Sequence, residues 1–310
     1  MFAMTPFAAP NFLPMTGLYE PSAIQQLADG RFLVIEDERQ RSFSMVTIGP
    51  GAEVESNPLG PGWFQSSNPF WKLDDLEGLA LDKLGYLYAI TSHSRDDDGD
   101  EKKARGRLVR FRIDGDRVVA PVVVDGLKRA LVATHPLLAA AAQLEDVKSE
   151  GGLNIEALEI SADQQRLLLG FRSPLQGRLA IIASVENPVA MFESDASPQV
   201  STTLQTLDLG GQGIRGMAFI DSLQGYLLIS GPVSRAQQAF GLWFWSGQPD
   251  APARRVSVAG LPGFERAEGL SPAVLDGKPK IVIVSDDGNR KEGRFARFLV
   301  LDPGQLQIAP

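Results

Sequence analysis

EGLALDKLGYLYAITSH, Glu77 to His93, runs from one polar residue to a glycine, an apolar segment, a turn and a second apolar segment. Short apolar runs bounded by turn residues read as β-strands. The same order occurs four more times: SAIQQLADGRFLVIED from Ser22, EALEISADQQRLLLGFR from Glu156, RGMAFIDSLQGYLLISG from Arg215 and EGLSPAVLDGKPKIVIVSDD from Glu268. In each copy a small residue (Ala23, Gly78, Ala157, Gly216, Gly269) follows the opener, and a large apolar one (Ile24, Leu79, Leu158, Met217, Leu270) follows that.

Third strand-like segments lie downstream (SFSMVTI, RLVRFRI, RLAIIASV, LWFW, RFLVL), and more polar fourth ones such as RVVAPVVV and ARRVSVAG. The openers stand 55, 79, 59 and 53 residues apart, so 310 residues hold five units and leave no room for a sixth. Repetition of four-stranded units predicts an all-β, five-bladed β-propeller over the whole chain. A sandwich would not call for a small residue at one place in every unit, whereas innermost propeller strands crowd around an axis. The long second interval holds LKRALVATHPLLAAAAQLEDVKSEGG, Leu127 to Gly152, whose Ala/Leu-rich stretch after Pro136 predicts a short helical insertion between blades.

Composition limits the partners. A net charge of -8 and a pI near 5.0 argue against nucleic acid and anionic membranes. The chain has no cysteine, which removes disulfides, thiolate metal sites and a Cys nucleophile. No apolar run reaches the roughly 18 residues of a membrane span. The N-terminus, MFAMTPFAAPNFLPMTG, lacks a basic region and is broken by prolines. It does not read as a secretion signal, and a cytoplasmic protein is the simplest expectation.

In a propeller the residue opening each innermost strand and the residues closing the second strand gather at one mouth of the channel. Glu77, Glu156, Glu268 and Arg215 are therefore expected to meet, with Asp286, His93, Arg172 and Ser173 nearby. Uncompensated carboxylates raise one another's pKa. Arg215 can neutralise one, and a hard divalent cation, Ca²⁺ most naturally, can bind the others through oxygen. The competing expectation is a structural Glu/Arg network that locks the blades together. His93 has the chemistry of a general base, although a histidine at a strand end also serves as a turn residue. Arg172 with Arg215 could hold a small anion; the alternative is a salt bridge to Asp286 or Glu77. Ser173 lacks a G-x-S-x-G elbow. RDDDGDE, Arg95 to Glu101, misses the EF-hand pattern and reads as a solvated loop, and His135 stands beside Pro136 at a helix start.

LEGLAL, AITSHSR (Ala89–Arg95), NIEALEI, LLGFRSPLQGRLAI (Leu168–Ile181), GIRGMAF and LISGP, in that order, resemble an uncharacterised bacterial propeller family related to the esterase-like phytase proteins. The resemblance spans about Tyr19 to Leu301. It implies a propeller and no particular reaction. Two functions are consistent with these residues. One is a metal-assisted hydrolase of small phosphate esters, esters or lactones, with Glu77, Glu156, Glu268 and Asp286 on Ca²⁺, Arg172, Ser173 and Arg215 on the substrate anion and His93 moving protons. The other is a non-catalytic propeller that binds a small ligand or a protein.

Overall fold

In the computed structural model, which describes residues 10–37, 42–61, 67–234 and 239–310 without the Lys148 side chain, five antiparallel sheets surround a common axis. The first nine residues of the N-terminal stretch weighed above as a signal lie outside the described residues. Blade 1 runs from Pro21 to Pro58, blade 2 from Leu76 to Val124 and blade 3 from Asn154 to Leu207. Blade 4 runs from Gly213 to Val258 and blade 5 from Ala267 to Leu301. The five-bladed propeller expected from the repeats is the observed architecture.

Central strands such as Phe32–Glu36 and Leu87–Thr91 are buried at every position. That is why they read as continuous apolar runs instead of alternating ones. The core is accordingly divided into five wedges, one between each pair of neighbouring blades. The wedge between blades 1 and 2 centres on Phe43, Phe70 and Phe111, with ring centroids 5.0 to 5.5 Å apart.

The two ends of the chain close the ring in a way the repeats do not announce. Blade 5 has three strands of its own, and Leu13–Pro14 pairs with Arg297–Leu301 as its outermost strand. Leu306–Ile308 adds a fifth strand to blade 4. The insertion folds as three short helices, Leu127–Thr134, Pro136–Ala141 and Val147–Glu150, and the first two bury Leu127, Leu131 and Leu138 in the wedge between blades 2 and 3. A further helix, Pro188–Ser194, lies between the third and fourth strands of blade 3 and packs Phe192 edge-on against Tyr88. Among the described residues no helix is long and apolar enough to cross a membrane.

Candidate functional site

Every innermost strand carries a β-bulge, and in every blade the bulged residue is the opener. Pairing passes from Leu76↔Thr91 to Gly78↔Ile90 and skips Glu77. It skips Ser22, Glu156, Arg215 and Glu268 in the same way. A bulge interrupts the alternation of a strand and re-aims one side chain. Here it turns the opener toward the axis. The small residue that follows lets adjoining innermost strands approach: a Cβ on Gly78 would lie 2.7 Å from the Leu158 backbone nitrogen, and one on Gly269 2.7 Å from the Ala23 Cα. Below the openers Leu79, Leu158, Met217 and Leu270 leave a void of only about 10 Å³. The channel is stoppered there, so the mouth is a basin and not a pore.

The basin has a volume of about 670 Å³ and is lined by twelve carboxylates and four guanidinium groups. One half is an ion-pair ladder. Arg215 reaches Glu156 Oε2 from Nε at 2.8 Å and touches Glu268 Oε1 with Nη2. Arg172 donates from Nη1 to Glu156 Oε1 at 3.0 Å and from Nε to the Pro232 carbonyl at 2.9 Å. Arg172 owes its position to a second bulge, because the pairing of blade 3 passes from Ser173 to Phe171 and skips it. Asn154 Nδ2 also donates to Glu156 Oε1, at 2.9 Å, leaving the buried Asn154 Oδ1 with no partner. Burial lowers the proton affinity of Arg215 against the pull of Glu156.

The other half holds acids with little positive charge. Glu77 makes no hydrogen bond or ion pair among the described residues. Burial, then the carboxylates of Glu156, Asp75 and Asp37, hold its carboxyl well above the usual range, with Arg215 opposing. Asp37, at the rim, is pushed up to about 8 by desolvation and by the neighbouring Asp75 carboxylate. Asp75 receives Ser92 Oγ, Ser94 Oγ at 3.2 Å and Arg105 Nη1 at 3.1 Å. Arg105 also reaches Asp74, 3.2 Å away. Asp286, across the basin, is raised to about 6 by desolvation, with Arg215 again opposing.

The expected site residues thus divide. Glu77, Glu156, Glu268, Arg215, Arg172 and Asp286 all line the basin. Ser173 and His93 do not. Ser173 Oγ donates to the Gly152 carbonyl at 2.5 Å. His93 adopts φ 58°, which turns its ring out of the basin wall and into a separate cavity beside the insertion. Several contributors escaped the sequence reading. Asp75 and Asn154 stand two positions before their openers, as does Glu20 in blade 1, and all three line the basin. An acid or amide two residues ahead of the openers of blades 1, 2 and 3 was the signal. The RDDDGDE loop, expected to be merely solvated, brings Asp96 to Asp98 to the rim, with Asp96 Oδ1 accepting from the backbone of Asp98 and Asp100. Among the described residues no three acidic or histidine side chains form a ready-made metal cage.

Fold and site together define a five-bladed propeller with a one-ended acidic basin at its axis. The chain belongs to the family described as "Protein of unknown function (DUF3616)", whose model matches residues 125–297. No curated protein matches it. Among solved structures it is similar to a Thermus thermophilus protein described as a putative oxidoreductase (glucose dehydrogenase), at 15% identity over 94% of this chain and 100% of that one, with a TM-score of 0.48. It is similar to the PQQ-bound aldose sugar dehydrogenase of Streptomyces coelicolor at 15% identity, 96% and 99% coverage and a TM-score of 0.44. A Trichoderma reesei carbohydrate-active enzyme of family AA12 gives 9% identity, 95% and 96% coverage and a TM-score of 0.47.

Proposed function

We propose that the basin is a divalent-cation site, with Ca²⁺ the natural ion, in a metal-assisted hydrolase of small phosphate esters, esters or lactones. The observation that carries this reading is the charge of the basin: twelve carboxylates against four arginines, with Glu77 paired to none of them. The donors are all oxygen, the set a hard cation prefers. Glu77 and Asp75 would hold the ion, with Asn154 Oδ1 as a neutral carbonyl ligand and Glu156 at the border with the ladder. When bound, the ion would polarise a substrate oxygen and lower the pKa of a coordinated water. Arg172, tied at Nε and Nη1, presents the rest of its guanidinium to orient an anionic group. A small anion entering alone would meet a strongly negative wall, so its binding depends on the cation.

A second reading, a propeller that binds a ligand without turning it over, is favoured by one observation. Arg172 and Arg215 are already engaged by Glu156, Glu268 and the Pro232 carbonyl. Elemental analysis of the purified protein, followed by phosphatase, esterase and lactonase assays with Ca²⁺ and with chelator, separates the two. Calcium-dependent turnover of any one substrate class supports the hydrolase. Bound or titratable Ca²⁺ without turnover supports the binding module, and no affinity for any divalent ion defeats the cation site itself.

A further inference from the structure

Outside the basin, between blade 2 and the insertion, lies a second cavity of about 670 Å³ with the opposite character. Five basic side chains and two acidic ones line it, in a chain of net charge -8. Helix Leu127–Thr134 opens on it with Gly126 as N-cap, and no side chain caps that end. The first-turn N–H groups lack partners within the helix and form the positive pole of its dipole. Gly126 holds φ 92°, and Arg129 folds back over it so closely that a Cβ at Gly126 would lie 3.1 Å from Arg129 Nη2. Lys103 and Lys128 are paired with Asp125 and Glu101, whereas Arg129 has no ion-pair partner among the described residues.

The second, independent feature is His93, 1% exposed and lining the same cavity. Its Nδ1 lies 2.8 Å from the Thr91 carbonyl oxygen, which can only accept, so the ring hydrogen sits on Nδ1. Nε2 then keeps a bare lone pair and has no partner. Burial lowers the proton affinity of the ring to about 4, in keeping with that neutral tautomer. Such a group asks for a hydrogen-bond donor, while the helix end and Arg129, on the same cavity wall, ask for negative charge.

We propose that this cavity binds a small organic anion carrying a hydroxyl beside its phosphate or carboxylate, with the anionic group on the 127–134 helix N-terminus and Arg129 and the hydroxyl donating to His93 Nε2. Calorimetric titration of the full chain with glycerol 3-phosphate, ethyl phosphate and glycerate tests it. Glycerol 3-phosphate or glycerate should bind saturably at millimolar concentrations or below, and the better of the two identifies the anionic group. Arg129→Ala should weaken that probe by about tenfold or more, the loss of a charge-assisted contact. Ethyl phosphate, without the hydroxyl, should bind about five- to tenfold more weakly than glycerol 3-phosphate. Because replacing the buried His93 risks the fold, its part is read in the unmodified protein: the Nε2 nitrogen resonance should shift with glycerol 3-phosphate and not with ethyl phosphate. Binding of neither hydroxylated anion, affinity unchanged in Arg129→Ala, or an Nε2 resonance unmoved at saturation would overturn the proposal.

Discussion

The two halves of the basin are built from the same part, a bulged residue at the start of an innermost strand, and they end in opposite states. Between blades 3 and 5 the openers are Glu156, Arg215 and Glu268, and Arg215 closes a ladder in which both carboxylates are matched. Between blades 1 and 2 the openers are Ser22 and Glu77, no base stands among them, and Glu77 faces Asp75 and Asp37 instead. A propeller can therefore stiffen its hub on one side with an ion-pair network while leaving on the other an excess of carboxylate that a proton or a cation would relieve.

The largest effect should come from breaking the matched half. Arg215→Ala leaves Glu268 buried without its cation and Glu156 with Arg172 alone, and urea unfolding should show a loss of about 3–5 kcal/mol. Added Ca²⁺ should restore little of it, since the proposed cation site lies in the other half. A variant as stable as the parent in chelator would erase the distinction between the halves.

A buried acid outside both halves sharpens the comparison. Glu159 accepts from the Ile160 N–H at 2.7 Å and the Phe219 N–H at 2.8 Å, and burial still raises it to about 7. Because the folded state holds this proton more tightly than the unfolded one, the stabilisation is complete below about pH 4.5 and fades as pH rises toward 7. The full span corresponds to roughly 2–4 kcal/mol. Glu159→Gln should remove that part of the slope in thermal melts taken across this range. An unchanged slope would show that backbone hydrogen bonds alone suffice for a buried carboxylate here.

Asn154→Ala should have the smallest effect on the fold, about 1 kcal/mol for one lost hydrogen bond to Glu156. Calorimetry should nevertheless show a several-fold weaker Ca²⁺ affinity, because the Asn154 carbonyl is withdrawn. Loss of stability without loss of Ca²⁺ affinity would assign Asn154 to the ladder alone.

The ring of openers was legible in the sequence because two signals coincided, regular spacing and a small residue forced by strand crowding at the axis. Glu77, Glu156, Arg215 and Glu268 could be placed together from those alone. Asp75 and Asn154 were not, because Asp75 precedes its strand with a positive φ of 64° that the sequence does not announce, and Asn154 is only the first residue of its strand. His93 sits at a strand end like the other closing residues, and only its positive φ, invisible in the sequence, turns it out of the basin. The closing strand of blade 5 escaped because Leu13–Pro14 is two residues long and 283 positions from its neighbour, Arg297. The helix at Pro188–Ser194 follows an Asn-Pro step that reads equally as a turn.

Ca²⁺ titration calorimetry of the parent, Glu77→Gln and Glu268→Gln, each stripped with chelator beforehand, decides whether the unmatched half of the basin is a cation site. The parent should show one saturable Ca²⁺ site, weakened about tenfold or more in Glu77→Gln by loss of a carboxylate ligand and little changed in Glu268→Gln. No Ca²⁺ heat in the parent, or a site lost with Glu268 and kept without Glu77, would contradict it.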